Sequence, residues 1–144
     1  MTRDEEQLLI EELYLLDNSN QMLRYSYREC KKIGIKTAYT FEELDKFEAL
    51  TSRFARTSDL IIQKIFRLID IIELEKPGSI IDRINRAEKR GLICSAETFK
   101  DIRRLRNDIA HEYIPTAIEE IFKKVLKLTP DIIDSVEKIK KYCQ

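Results

Sequence analysis

Apolar residues recur along most of this chain at intervals of three, four and seven, with charged residues between them, the period of amphipathic helices. From about Asp4 to Ile33, Leu8, Leu9, Leu13, Leu16, Leu23 and Tyr27 mark a first long helix, and Gly34 is placed to stop it. Thr40-Phe-Glu-Glu43 has the form of a capping box and opens a second helix near Phe41. Within it Leu50, Phe54, Ile61, Ile65, Leu68 and Ile72 form a continuous core stripe. This helix is expected to run to Glu75, where Lys76-Pro77-Gly78 breaks it. Ser79 caps a short third helix carrying Ile80, Ile81 and Ile84, which ends at Gly91. Ser95 caps a fourth from about Ala96, with Phe99, Ile102, Leu105 and Ile109 on one side. Pro115 closes it, because the residue before a proline is pushed away from helical geometry. Two more helices are expected, one from about Thr116 to Leu128 and one opening at Thr129-Pro130, with threonine as cap and proline at the first helical position.

Long helices joined by short breaks predict an all-α antiparallel bundle of four main helices with short additional ones. Composition agrees, since only three Gly and three Pro occur among 144 residues, which disfavours a turn-rich sandwich or barrel. A single domain over residues 1–144 is expected, with no internal repeat and no low-complexity tract. A chain of this length buries roughly 68–70% of its unfolded surface and so folds without a disulfide or structural metal.

Charge narrows the partners. Lys plus Arg number 26 and Asp plus Glu 26, so there is no global basic field and any contact with nucleic acid must come from a local site. Cys30, Cys94 and Cys143 lie far apart and form no C-x-x-C or zinc spacing, the usage of a reduced, cytoplasmic protein. With one histidine a His-rich metal centre is impossible, and no loop is recognisable that would hold a carboxylate one, so neither metal nor cofactor is expected. The opening Met1-Thr-Arg-Asp-Glu-Glu is too acidic for a signal peptide, and no apolar run approaches the roughly 18 residues of a membrane span.

The unusual residues concentrate between Arg103 and Tyr113. His111, the only histidine, stands in the last turn before Ile114-Pro115, where unpaired helix carbonyls favour a cation and keep both protonation states of the ring in reach near neutral pH. It is a candidate general acid or base. Arg106, five residues earlier and roughly 140° around the helix, offers a permanent charge and a planar donor fork for a phosphate or its pentacovalent transition state. Asn107 and Asp108, four and three residues before His111, are each placed to orient the ring. Together they are the minimum equipment for metal-independent RNA cleavage, in which a ribose 2′-hydroxyl attacks its own phosphate. One copy of each is thin for a site that needs both a base and an acid, and a symmetric dimer would double the set. Spacing alone equally describes Arg106, Asp108 and Glu112 as a solvated helix face and His111 as an ordinary C-terminal-turn residue.

The stretch Arg106-Asn-Asp-Ile-Ala-His111-Glu-Tyr113 resembles the R-x-x-x-x-H-x-Y motif of the HEPN superfamily, specifically the HepT-like toxins of prokaryotic toxin–antitoxin modules. A weaker likeness covers Phe47 to Asp70, which resembles the long second helix of some members. The resemblance implies a homodimeric helical bundle with a composite cleft, acting as a metal-independent ribonuclease toxin with Arg106 and His111 catalytic and Asn107 supporting. It implies as partner a minimal nucleotidyltransferase antitoxin, which in some such pairs transfers adenylyl groups to the motif tyrosine, here Tyr113. Bulk and negative charge two residues from His111 would block the cleft and repel an RNA phosphate.

Candidate RNA contacts, to tRNA or mRNA, are Arg103 and Arg104 beside the motif and Arg53 and Arg56 on the second helix. Arg53, Arg56, Lys64 and Arg67 are otherwise a solvated face, and Asp101, Asp108 and Glu112 partly offset the first group. A second reading is a non-catalytic subunit that presents Tyr113 or a cleft to a nucleotidyltransferase as its substrate-binding partner, and a third is a purely structural helical dimer.

Overall fold

Helix starts in this chain are set by short hydroxyl-bearing residues. In the computed structural model, which describes residues 1–111 and 115–144 apart from the side chains of 115–117, Thr2, Thr40 and Ser79 each accept the backbone N–H three residues on. Glu5, Glu43 and Asp82 accept the cap N–H in return. Ser95 accepts the Thr98 N–H at 3.2 Å and starts another helix. The elements are α1 (Arg3–Ile33), α2 (Phe41–Asp59), a π-helical segment (Leu60–Ile65), α3 (Phe66–Ile72), α4 (Ile80–Lys89), α5 (Ala96–His111) and α6 (Pro115–Tyr142). No strand occurs among the described residues, and the fold is an all-α helical bundle.

α1 and α2 run antiparallel, since Glu29, Ser26 and Ser19 on one meet Lys46, Arg53 and Thr57 on the other in opposite order. α1 buries Leu9, Leu16, Leu23 and Cys30 at strict seven-residue steps, and α2 buries Phe47, Leu50 and Phe54. Phe122, Val125, Ile132, Val136 and Ile139 of α6 complete the core. Phe47 stacks on Phe122 at 4.8 Å between ring centroids, with Tyr39 edge-on to both. Each fully buried Leu or Phe contributes about 1.5–3 kcal/mol, so this interior fixes where α5 can sit.

Three sequence expectations are modified. The second helix is not α-helical throughout, because Phe66 N–H donates to the Ile61 carbonyl five residues back. The wider turn buries Ile61 and Ile62 side by side and brings Phe66 and Ile69 into the core beside the expected Ile65 and Leu68. Its helical part stops at Ile72 rather than Glu75. Leu74 takes φ 59, a conformation normally left to glycine, while Glu75 N–H caps the Asp70 carbonyl and Leu74 N–H the Ile71 carbonyl. Finally, Thr129-Pro130 does not open a last helix. α6 runs unbroken through Pro130, with Thr129 buried and its hydroxyl donating to the Val125 carbonyl at 2.6 Å. The apolar positions on both sides of the proline belong to one buried stripe, and packing outweighs the backbone bond that proline removes.

Arg86 and Arg90, at the end of α4, both bind Asp70 of α3, and Arg90 also pairs with Glu73 and Glu75. This network fastens α4 across the break after α3. Among the described residues no helix is long and apolar enough to cross a membrane.

Two outcomes are expected. Leu74 is 91% exposed at positive φ, so Leu74→Gly should raise unfolding free energy by about 0.5–1 kcal/mol in urea titration, because glycine adopts this geometry without the side-chain clash. Burial pushes the Cys30 thiol up to about 11 and also raises that of Cys143, whereas Cys94 is exposed. Alkylation of the native protein near pH 8 should therefore label Cys94 first, as read by peptide mass mapping, with Cys30 reacting only on unfolding.

Candidate functional site

α5 is placed by Phe99, Ile102 and Leu105, which recur every third residue on its buried side. The residues between them face outward on two flanks. Arg103, Arg106 and Asn107 line one cleft together with Ser58, Asp59, Ile62 and Gln63 from α2 and the π-helical segment, enclosing about 370 Å³. Arg104 and Asp108 line a different cleft, facing Lys124 and Lys127 of α6. Arg104 is there engaged by Asp101.

The centre of the first cleft is a two-bond clamp. Arg106 Nε donates to Asp59 Oδ1 at 2.7 Å and Nη2 donates to Oδ2 at 2.8 Å. This is the fork geometry that suits a guanidinium and a carboxylate. The hydrogen bonds that Arg106 donates to Asp59, opposed by partial burial, raise the Arg106 pKa, so the side chain stays cationic at any working pH. Asp59 occupies one edge of the guanidinium, which leaves the Nη1 protons and one on Nη2 for a second anion. The clamp fixes the plane of the fork in advance, which removes rotamer entropy that a free arginine would lose on binding phosphate.

Asp59 was not picked out by the sequence reading. It closes the Arg-Thr-Ser-Asp end of α2, off the expected stripe, and nothing in linear spacing ties it to a residue 47 positions later. Of the sequence candidates, Arg106, Asn107 and Arg103 share the cleft, and Asn107 is exposed there. Asp108 faces the other flank. His111 is exposed at the end of α5, one turn beyond Asn107 and roughly 140° from Arg106 around the axis. Tyr113 lies outside the described residues. Arg53 donates from Nη1 to Ser26 Oγ at 2.6 Å and to the Met22 carbonyl, which joins α2 to α1 and lies in a separate pocket with Tyr25 and Glu29. Arg56 is exposed and lies on a groove that adjoins the Arg106 cleft through Asp59.

Comparison with known protein families and with curated proteins returns no match to this chain.

The clamp makes a measurable prediction. Both partners are about a third exposed, so a double-mutant cycle of Asp59→Ala and Arg106→Ala should give a coupling of about 0.5–1 kcal/mol by chemical denaturation, shrinking in high salt. A coupling indistinguishable from zero at low salt would mean that Asp59 does not hold the arginine in solution.

Proposed function

We propose that the protein is a metal-independent endoribonuclease, the toxin of a toxin–antitoxin pair, acting in the cytoplasm as a homodimer with Arg106 and His111 as catalytic residues. The observation that carries this reading is the pre-oriented Arg106 in a polar cleft beside Asn107, within a complete R-x-x-x-x-H-x-Y sequence. The resemblance of that sequence to HepT-like toxins supplies the reaction class. Arg106 neutralises the charge that grows on the phosphorus oxygens. His111 takes the 2′-hydroxyl proton as that oxygen attacks phosphorus, or returns one to the departing 5′-oxygen. Asn107, one turn before His111, orients the ring. Because Arg106 and His111 lie on different flanks of α5, two copies meeting at this helix bring an acid, a base and two guanidiniums to one phosphate.

The partner in this reading is a minimal nucleotidyltransferase antitoxin. It silences the toxin by moving an adenylyl group from ATP to the Tyr113 hydroxyl, with release of pyrophosphate, or by covering the cleft. RNA affinity is modest and salt-sensitive, since Asp59 and Asp101 already engage two of the three motif-proximal arginines.

The test is incubation of the purified protein with total tRNA and with mRNA in EDTA. Cleavage by the parent protein is expected, reduced about 100-fold or more in Arg106→Ala and in His111→Ala. Equal cleavage by a folded His111→Ala protein rules the assignment out. No cleavage by any version points to the non-catalytic partner of a nucleotidyltransferase.

A further inference from the structure

The Arg106 cleft does not end at Gln63. The exposed Gln63 side chain also lines a second cleft, of about 380 Å³, where α3 meets the loop before α4. Three cations converge on it from three places, Arg67 on α3, Lys76 in the loop and Arg83 on α4. Arg67 and Lys76 are exposed, Arg83 is half-buried, and none forms an ion pair among the described residues. Arg83 Nη1 donates to the Ile62 carbonyl at 3.4 Å, and Ile62 lines the Arg106 cleft, so this bond links the walls of the two clefts.

Asp70 and Glu75 line the second cleft as well, but both are engaged by Arg86 and Arg90, which do not line it. Their charge is answered by the network that fastens α4, whereas that of Arg67, Lys76 and Arg83 is not. Like charges brought together without a counter-charge repel one another, so an anion stabilises such a cleft.

We propose that the second cleft is a phosphate subsite, and that a single strand of nucleic acid runs from it, past Gln63, into the Arg106 cleft. Asp59, Ile62 and Gln63 of the shared rod face the first cleft, and Gln63, Arg67 and Ile71 the second, so the centres lie about six residues, roughly 9 Å, apart. A stacked strand advances about 3.4 Å per nucleotide, and two or three nucleotides cover that step. Volumes of about 370 and 380 Å³ are those of small-ligand pockets, which take a nucleotide each rather than a duplex. Ile71, 50% exposed, and Pro77 give the second cleft an apolar patch for a base or ribose beside the three cations. The Gln63 amide between the clefts can donate to one nucleotide and accept from the next. The choice of RNA as the strand rests on the ribonuclease reading, whereas the subsite itself rests on the cations.

Fluorescence anisotropy of a labelled oligothymidylate with the full chain in EDTA tests this, because a strand without 2′-hydroxyls can bind but offers no group to attack its own phosphates. The affinity of the parent protein should fall as salt rises from about 50 to 200 mM, each phosphate contact contributing about 0.7 to the slope on logarithmic axes. Arg67→Ala combined with Lys76→Ala, both at exposed positions, should lower that slope by about 1.4, and adding Arg83→Ala by about 0.7 more, while circular dichroism stays unchanged. Arg24→Ala on α1, an exposed cation that lines neither cleft, should leave the slope as it is. Absence of binding by the parent protein at about 50 mM salt overturns the proposal. So does a slope shared by the parent and the triple variant, a loss as large in Arg24→Ala, or tighter binding of a duplex of the same length. A parent protein that binds as described but never cleaves RNA keeps the subsite and removes the ribonuclease reading. One that cleaves RNA while the triple variant binds as well as the parent keeps the ribonuclease and removes the subsite.

Discussion

The contact between α1 and α2 sets the geometry of everything that follows. Where the two helices meet, the seam includes the small and polar side chains Ser19, Ser26 and Thr57 beside its leucines and phenylalanines. The Thr57 hydroxyl donates to the Arg53 carbonyl, so it is Ser19 that donates to Thr57, at 2.6 Å. These bonds are specific in height and rotation in a way that leucine packing is not. Asp59 follows Thr57 by two residues, and its direction is inherited from that seam. Arg106, on a helix whose buried side is Ala96, Phe99, Ile102 and Leu105, is oriented by Asp59. The polar pairing between two scaffold helices is thereby transmitted to Arg106.

Much of the architecture was legible because capping and hydrophobic period agree locally. Thr40 with Glu43, Ser79 and Ser95 start helices where expected, Gly34 follows the end of α1, and Leu50, Phe54, Ile61, Ile65 and Leu68 are all buried. The departures have one physical origin, that tertiary burial outweighs local signals. Pro130 reads as a helix start, yet Val125, Ile132 and Val136 need one unbroken rod to reach the core. Leu74 stands where a glycine would announce a helix end, so the stop after Ile72 carried no marker. For the site, the residue types in the Arg103–His111 stretch were visible, and the cleft that Arg103, Arg106 and Asn107 share was not. Asp59 was invisible because an ion pair across 47 positions leaves no trace in spacing. Arg53 read as a surface cation until its partners on α1 were seen.

Electrical neutrality of the whole chain hides a local division of labour. Some carboxylates cap helices, as Glu43 does, some fasten helices to one another, as Asp70 does, and Asp59 aims an arginine. Among the described residues near the cleft, Arg103, Arg56, Lys64 and Arg67 carry positive charge and form no ion pair. A weak overall field combined with a few aimed charges suits recognition by shape and position more than by long-range attraction.

The π-helical segment gives these charges their separate targets. Asp59 and Asp70 are eleven residues apart, three full turns of an ideal α-helix, so in a regular rod they would point the same way, within about 20°. The wide turn between them absorbs one residue and dephases the two halves by roughly 100°. Asp59 consequently reaches α5 while Asp70 reaches α4. The segment works as a fixed angular offset built into one rod, letting a single helix direct two like charges at two different neighbours. Holding all eleven residues in regular α-helical geometry would leave the helix continuous and its apolar content unchanged, yet would force those two neighbours to compete for the same side of the rod.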